Sequence, residues 1–517
     1  MPEISSNNKR IAKNTVVLYF RMIIVMVVGL FTSRIILSVL GVEDYGIYNV
    51  VAGVVVLFTF VSNAISIGTQ RHISYELGKP DGCVSEIFSA CLKIHIFFGI
   101  IVVILGEFIG LWFINYKLNI PADRMFAANV IYQISLINCF LSIVMTPYGA
   151  AVIAYEKMSF YAYMSIFDVS AKLLMVFVLT LIPFDKLIIY TTTILIVGII
   201  GSLIQVYYVN KHLIGIKIVS IKNKSLYKYL LSFSGWTLFG SISCMLETQG
   251  LNMIINIYYG VLLNAAVGIA NQVRGVLTQF VSGFQQALNP QLVKSESSGD
   301  RQRQFTLIFR ASKFSFYIMF ALSLPVMANL HQILFLWLGQ VPEYTVSICQ
   351  LVIIIQLFEC MSSPLYTTIF AIGKIKYYQC IVAILRILSV VSAIAICSLE
   401  VEPYMIYLMP CIVAAILLIY RVWFIHKHIA MPVNSFLRRV IAPVFSVCVA
   451  TVIPLLIYKH LEISDGSILA ILIETGCISI LAITAILILG FTSSERMAIF
   501  QYIRRIIKRK DDSRAIC

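Results

Sequence analysis

The sequence predicts an all-α polytopic membrane protein with about fourteen transmembrane helices. Of its 517 residues, 60% are hydrophobic and only 12% are charged, whereas soluble domains are about 25% charged. The apolar runs are about 20–27 residues long and do not alternate with polar residues, which fits membrane helices and not the ~10-residue strands of a membrane barrel. An internal repeat further favours a bundle of helices built from two copies of one unit.

The apolar runs define the predicted spans in chain order. They lie at residues 14–38, 48–69, 89–114, 126–152, 160–182, 187–209, 230–258, 263–289, 308–336, 345–371, 376–398, 403–425, 440–458 and 467–490. An even number of spans places both termini on the same side of the membrane.

The distribution of Lys and Arg predicts the orientation. Twenty-nine of the 39 lie in the segments predicted to be inside or within a few residues of them, and four lie in the outside loops. Positive charge concentrates on the cytoplasmic side of membrane proteins, so we expect both termini in the cytoplasm. The net charge of +15 is then a membrane signature and does not indicate nucleic-acid binding.

The internal repeat divides the chain. At a constant shift of 217 residues, five positions around one inside turn match five around another; a shorter echo joins segments 46–49 and 268–271 at a shift of 222. The matched positions are Pro147, Ala154, Lys157, Phe160 and Tyr161 with Pro364, Ala371, Lys374, Tyr377 and Tyr378. A shift of six spans predicts two parallel six-helix bundles, 1–215 and 216–430, followed by two additional spans (431–492) and a basic tail (493–517), an arrangement typical of transporters.

Predicted span 263–289 carries a polar stripe along an apolar helix. Seven of its ten polar residues fall within an arc of about 80° at helical spacing, and Gln272, Gln279 and Gln286 form a second file beside them. The seven are Asn264, Asn271, Arg274, Thr278, Ser282, Gln285 and Asn289. Span 48–69 has a similar polar face that includes Asn63. Such a stripe has to face protein or water, so we predict the wall of an aqueous cavity.

Charged residues inside predicted spans are costly and need a reason. Asp168 and Lys172 are four residues apart and can pair, either as a structural lock or as cavity groups. Cations predominate among the best-placed candidates, which favours an anionic cargo. The predicted cavity or cargo residues are Arg274, Arg386, Lys172, Asp168, Arg34, Asn271, Asn63 and Gln285. Glu247 and Glu359 are candidates for ion coupling or for structural pairing.

Motifs of catalysis are missing from the sequence. There is no P-loop, HExxH or GxSxG motif, and the twelve cysteines occur without a CxxC pair. The predicted outside loops are too short to hold a catalytic domain. We therefore expect no enzyme activity, no metal and no cofactor.

Two segments resemble a known family. Lys13, Asn14 and Thr15 enter the first span, and the stretch Leu-Gly-Val-Glu-Asp-Tyr-Gly-Ile-Tyr covers 40–48. Together with the arrangement of six, six and two spans, they resemble Wzx-type oligosaccharide flippases of the MOP superfamily, which also holds MATE drug exporters and lipid II flippases. The turn from Pro364 to Tyr378 is similar to the family as well.

The resemblance implies a V-shaped alternating-access transporter that moves undecaprenyl-diphosphate-linked oligosaccharides to the outer leaflet of the bacterial cytoplasmic (inner) membrane. The product would feed surface polysaccharide such as the O-antigen of lipopolysaccharide. The expected partners are this anionic lipid-linked oligosaccharide, membrane lipids and polysaccharide assembly proteins, with the protein acting as a monomer. Spans 13 and 14 resemble those flanking a lipid groove in lipid II flippases. Two alternatives stay open: a MATE-like cation-coupled drug exporter, and a polysaccharide assembly component or unrecognised glycosyltransferase.

Overall fold

A computed structural model describes residues 14–497 with short gaps. The gaps are scattered positions between 29 and 58, together with 80, 117–119, 180–183, 222–223, 339–340, 400, 461–467 and 494. The described part is almost entirely helical and contains no strand. The predicted all-α class is therefore confirmed. Most of the predicted basic tail lies outside the described residues.

The helices of the described part follow one another in chain order with short connections. They are α1 (Asn14–Val28), α2 (Thr59–Leu77), α3 (Val84–Tyr116), α4 (Met125–Ala154), α5 (Met158–Leu179), α6 (Lys186–His212), α7 (Lys224–Ser297), α8 (Arg301–Ala328), α9 (Leu330–Leu338), α10 (Thr345–Ile372), α11 (Ile375–Cys397), α12 (Leu408–Ile429), α13 (Val433–Tyr458) and α14 (Leu469–Gly490).

Ten helical stretches in the described part are long and apolar enough to cross a membrane. Predicted spans 14–38 and 48–69 fall partly on residues that the structure does not describe. Span 160–182 lies largely in α5, and span 263–289 lies within the more polar second half of α7. The structure therefore confirms a multi-pass helical membrane protein.

Helix α7 corrects one predicted boundary. We expected a loop at 259–262, but the helix continues through it for 74 residues. A straight helix of that length would measure about 110 Å against an apolar bilayer core of about 30 Å.

The contacts of α7 show that it folds back on itself. A Cβ added at Gly240 would lie 2.1 Å from Gln379 at the start of α11, and Asn289 accepts a 3.2 Å hydrogen bond from Thr367 at the end of α10. Only a short turn separates α10 from α11, so these distant parts of α7 reach the same place. The chain thus reverses inside α7 while keeping helical hydrogen bonding.

The helix contacts form two compact units. One contains 1–246, 283–304 and 367–387, and the other contains 247–282, 305–366 and 388–517. The first unit packs around small residues of α4, such as Ala150 and Ala151, which meet Phe88 of α3 and Val209 of α6. The proposed division at 215 and 430 stays a prediction.

The repeated turns have matching boundaries. Helix α4 ends at Ala154 and α5 begins at Met158, while α10 ends at Ile372 and α11 begins at Ile375. A left-handed residue occupies each turn: Glu156 has φ 59° and Gly373 has φ 85°. These two positions are also 217 residues apart, so the repeat extends from sequence to backbone conformation.

Candidate functional site

An open cavity of about 720 Å³ lies against the second half of α7 in the second compact unit. Its lining from the predicted stripe consists of Arg274, Thr278 and Ser282. Gln272 and Gln279 join them from the neighbouring file of the same helix, and Gln356 comes from α10. Successive turns of one helix thus present polar side chains to a single concave surface.

Hydroxyl groups of the cavity wall are partly engaged by their own helix. Thr278 Oγ1 donates to the carbonyl oxygen of Arg274 at 2.7 Å, and Ser282 Oγ donates to that of Gln279 at 2.9 Å. Such back-bonding satisfies the hydroxyl hydrogen and leaves oxygen lone pairs that can accept from a ligand. The wall is therefore able to meet sugar or other hydroxyl donors.

Arg274 supplies the positive charge of the cavity. Its side chain is partly exposed and makes no hydrogen bond or ion pair with the residues that the structure describes. A guanidinium carries five N–H donors in a planar fork that matches phosphate and carboxylate oxygens. The arrangement can bind an anionic group beside a polar, uncharged wall.

The predicted carboxylate Glu359 is paired. Arg421 Nη1 of α12 donates to Glu359 Oε2 of α10 at 3.1 Å and also to Ser362 Oγ. The Arg421 side chain is 4% exposed and lies over the ring of Tyr366. No role was predicted for Arg421. The opposite charges in predicted spans 10 and 12 could have indicated this ion pair, but the sequence alone does not show that these two spans are in contact.

The predicted Asp168–Lys172 contact forms in the structure. Lys172 Nζ donates to Asp168 Oδ2 at 2.8 Å, with the side chains 34% and 45% exposed. The pair lies in α5, in the first compact unit. The described residues around them therefore cover both side chains only partly.

The remaining candidates are dispersed. Glu247 of α7 is buried, and Arg386 of α11 is partly buried. Asn271 and Gln285 lie on α7 but outside the lining of the cavity. Arg34 and the side chain of Asn63 lie outside the described residues.

The described side chains form no candidate metal site. Among them, no group of three or more His, Cys, Asp or Glu residues could hold a metal ion. The cysteines of this part of the chain are free thiols, and five of them are buried.

Comparison with solved structures identifies the fold. The chain is similar to a MATE protein in the straight conformation, with 15% identity, a TM-score of 0.67 and coverage of 82% of this chain and 97% of that one. It is similar to an outward-facing multidrug resistance MATE transporter of the MOP superfamily at 14% identity and a TM-score of 0.66, covering 82% and 96%.

A third neighbour is a MOP superfamily transporter from Pyrococcus furiosus, whose reversed binding-pocket polarity suggests a different function for that protein. It shares 14% identity and a TM-score of 0.66, with 82% of this chain and 96% of that chain covered. No protein-family model matches the chain, and no curated protein does either. The chain therefore has the helical fold of MATE-like transporters of the MOP superfamily.

Proposed function

We propose that this protein is a transporter that flips lipid-linked oligosaccharides with an anionic diphosphate head across the bacterial cytoplasmic membrane. The observation that carries the proposal is the Arg274 guanidinium, which has no ionic partner among the described residues and lines a cavity of about 720 Å³ together with five other polar side chains. The guanidinium would hold the diphosphate, and the amides and hydroxyls beside it would meet the sugars. The prenyl chain would stay in lipid.

The energetic logic favours an arginine at this place. Moving a diphosphate through the membrane requires replacement of its hydration by donors that are already oriented. The neighbouring glutamine amides and serine hydroxyl lower the cost of moving sugar hydroxyls out of water without adding charge. The uncharged polar side chains of this wall would accept different sugars, and Arg274 would select cargo with an anionic head.

The test compares Arg274→Gln with Arg274→Lys in a host from which the native gene is deleted. We expect Arg274→Gln to lower delivery of lipid-linked oligosaccharide to the outer leaflet about tenfold or more, because one charge-assisted interaction is lost. Arg274→Lys should retain an intermediate rate, since it keeps the charge but not the fork. Leaflet accessibility of extracted polyprenyl-linked glycans is the measurement.

Arg438→Gln is the matched control. Arg438 is also exposed and without a hydrogen bond or ion pair to described residues, but it lies in α13 away from this cavity. Normal delivery by Arg274→Gln, at equal protein abundance, would overturn the proposal.

The second candidate function is a cation-coupled drug exporter, which the MATE neighbours favour by their fold. It requires a carboxylate that exchanges protons or cations with cargo. The predicted carboxylates for this role are Glu247, Asp168 and Glu359. Pairing with the buried Arg421 disfavours Glu359, because an internal guanidinium already neutralises it. Export of cationic dyes that is abolished by Glu247→Gln and unaffected by Arg274→Gln would favour this alternative.

A further inference from the structure

Two contacts at the predicted inner face connect the two repeats. All of the residues involved belong to the first compact unit, which contains segments of both predicted bundles. Each contact joins the end of a polar even-numbered span to the repeated turn of the other half.

The first contact is made by Arg71 near the end of α2. Its Nε donates to the carbonyl oxygen of Phe370 at 2.9 Å and its Nη2 to that of Ala371 at 2.7 Å. Arg71 is 5% exposed and also donates from Nη1 to Tyr229 Oη at 2.9 Å. A cation thus satisfies the last carbonyls of α10, where the helix dipole is negative.

Gly373 makes the approach of Arg71 possible. Its φ of 85° closes the turn, and an added Cβ would lie 2.7 Å from Arg71 Nη2. A larger residue would be strained in this backbone conformation and would also displace the guanidinium.

The second contact involves Glu156, the counterpart of Gly373 at the 217-residue shift. Its buried carboxylate accepts from Lys294 Nζ at 2.9 Å and from Gln291 Nε2 at 3.1 Å, both near the end of α7. The Glu156 side chain is 1% exposed. Here the turn supplies the anion, and the helix end supplies the cation.

The ends of α2 and α7 also touch each other. An added Cβ at Gly78 would lie 2.7 Å from the backbone carbonyl oxygen of Lys294. The 222-residue shift pairs His72 with Lys294, so the helices that hold the two contacts meet at equivalent ends. The approach of α2 to α7 therefore joins the helices that carry the two contacts.

From this geometry we infer that Arg71 with the 370–373 turn, and Glu156 with Lys294 and Gln291, form one two-point latch that closes the predicted inner face and releases as a unit. Only the role of the latch, which is to let the transporter open inward when it releases, rests on the proposed function. Its test needs no cargo, so the latch and the flippase proposal can fail separately.

Hydrogen exchange of the full-length protein in lipid nanodiscs, measured by mass spectrometry, tests the latch. In Arg71→Gln we expect amide exchange to accelerate about tenfold or more, because more than one charge-assisted hydrogen bond is lost. The acceleration should occur at the 370–373 turn and also at the turn that contains Glu156, residues 154–158. Glu156→Gln should accelerate the same two turns.

Two further variants make the test specific. Gly78→Ala keeps every charge but inserts a methyl group between α2 and α7, and it should accelerate both turns. Glu76→Gln is the control: Glu76 forms a 2.6 Å ion pair with Lys79 within the same inner segment but reaches neither turn.

Acceleration confined to the turn that each variant touches, or acceleration of both turns in Glu76→Gln, would overturn the two-point latch. Coupled acceleration in Arg71→Gln, Glu156→Gln and Gly78→Ala with an unchanged Glu76→Gln supports it. These outcomes stand whatever Arg274→Gln does to oligosaccharide delivery.

Discussion

Arg421 illustrates what a single buried charge demands of its neighbours. Its guanidinium is 4% exposed and has Glu359 as its ionic partner. Removal of one member of a buried pair leaves the other charge uncompensated, which costs about 3–5 kcal/mol. We predict that Arg421→Gln lowers the unfolding midpoint in detergent strongly, and that adding Glu359→Gln restores much of the loss. Calorimetric or fluorescence-monitored unfolding measures both.

Lys172→Gln provides the contrast, because the Asp168–Lys172 pair is half-exposed. If the pair faces the aqueous cavity predicted from the sequence, it is hydrated, and hydrated ion pairs contribute about 0–1 kcal/mol, so this variant should lose little stability. If the double variant Glu359→Gln with Arg421→Gln were as unstable as Arg421→Gln alone, the pair would not be the source of the cost.

Glu495, which follows the end of α14, makes the stability of the fold depend on pH. Burial tends to raise the pKa of this carboxyl, but hydrogen bonds from Lys313 and from the Thr492 amide outweigh burial and lower the pKa below 4.5. Its contribution is therefore complete above about pH 4.5 and is lost as the pH falls through the lowered value. We predict that acid lowers the unfolding midpoint less steeply in Glu495→Gln, measured from about pH 6 to about pH 3.5.

The variant should also start from a lower midpoint at neutral pH, because it leaves Lys313, 3% exposed, without its 2.7 Å partner. Asp123→Asn is a suitable control, since Asp123 is exposed. An equal acid slope in Glu495→Gln and the parent chain would contradict the assignment.

At the scale of elements, hydropathy and turn chemistry predicted most boundaries. The predicted span 345–371 corresponds to α10, Thr345–Ile372, and the repeated turns begin where the matched residues place them. The continuity of α7 was not predicted, because two apolar runs of membrane length require a turn between them, although no Pro interrupts 230–289. The stripe of Arg274, Thr278 and Ser282 was predictable because it needs only the helical period. The Arg421–Glu359 pair was not, because it depends on which spans are neighbours.

The fold as a whole explains why the predicted halves need not coincide with compact units. The first unit takes in 283–304 and 367–387 from the second half of the chain, because the Arg71 and Glu156 contacts draw these segments to residues of the first half. The compact units therefore reflect which residues are in contact in this structure. The repeat reflects which segments of the sequence resemble each other.

The last prediction concerns the path of the whole chain across the membrane. Because 29 of 39 Lys and Arg lie at the predicted inner face, single cysteines introduced at Lys157 and Ser298 should react with an impermeant maleimide only from the inside. Tyr258 is exposed in the middle of α7, and since α7 reverses, a cysteine there should react only from the outside. The measurement is labelling in intact cells against inverted vesicles, in a background without native cysteines. Labelling of positions 258 and 298 from the same side would contradict the reversal of α7, whereas labelling of position 258 from the outside and of position 298 from the inside would show that the second half of α7 crosses the membrane.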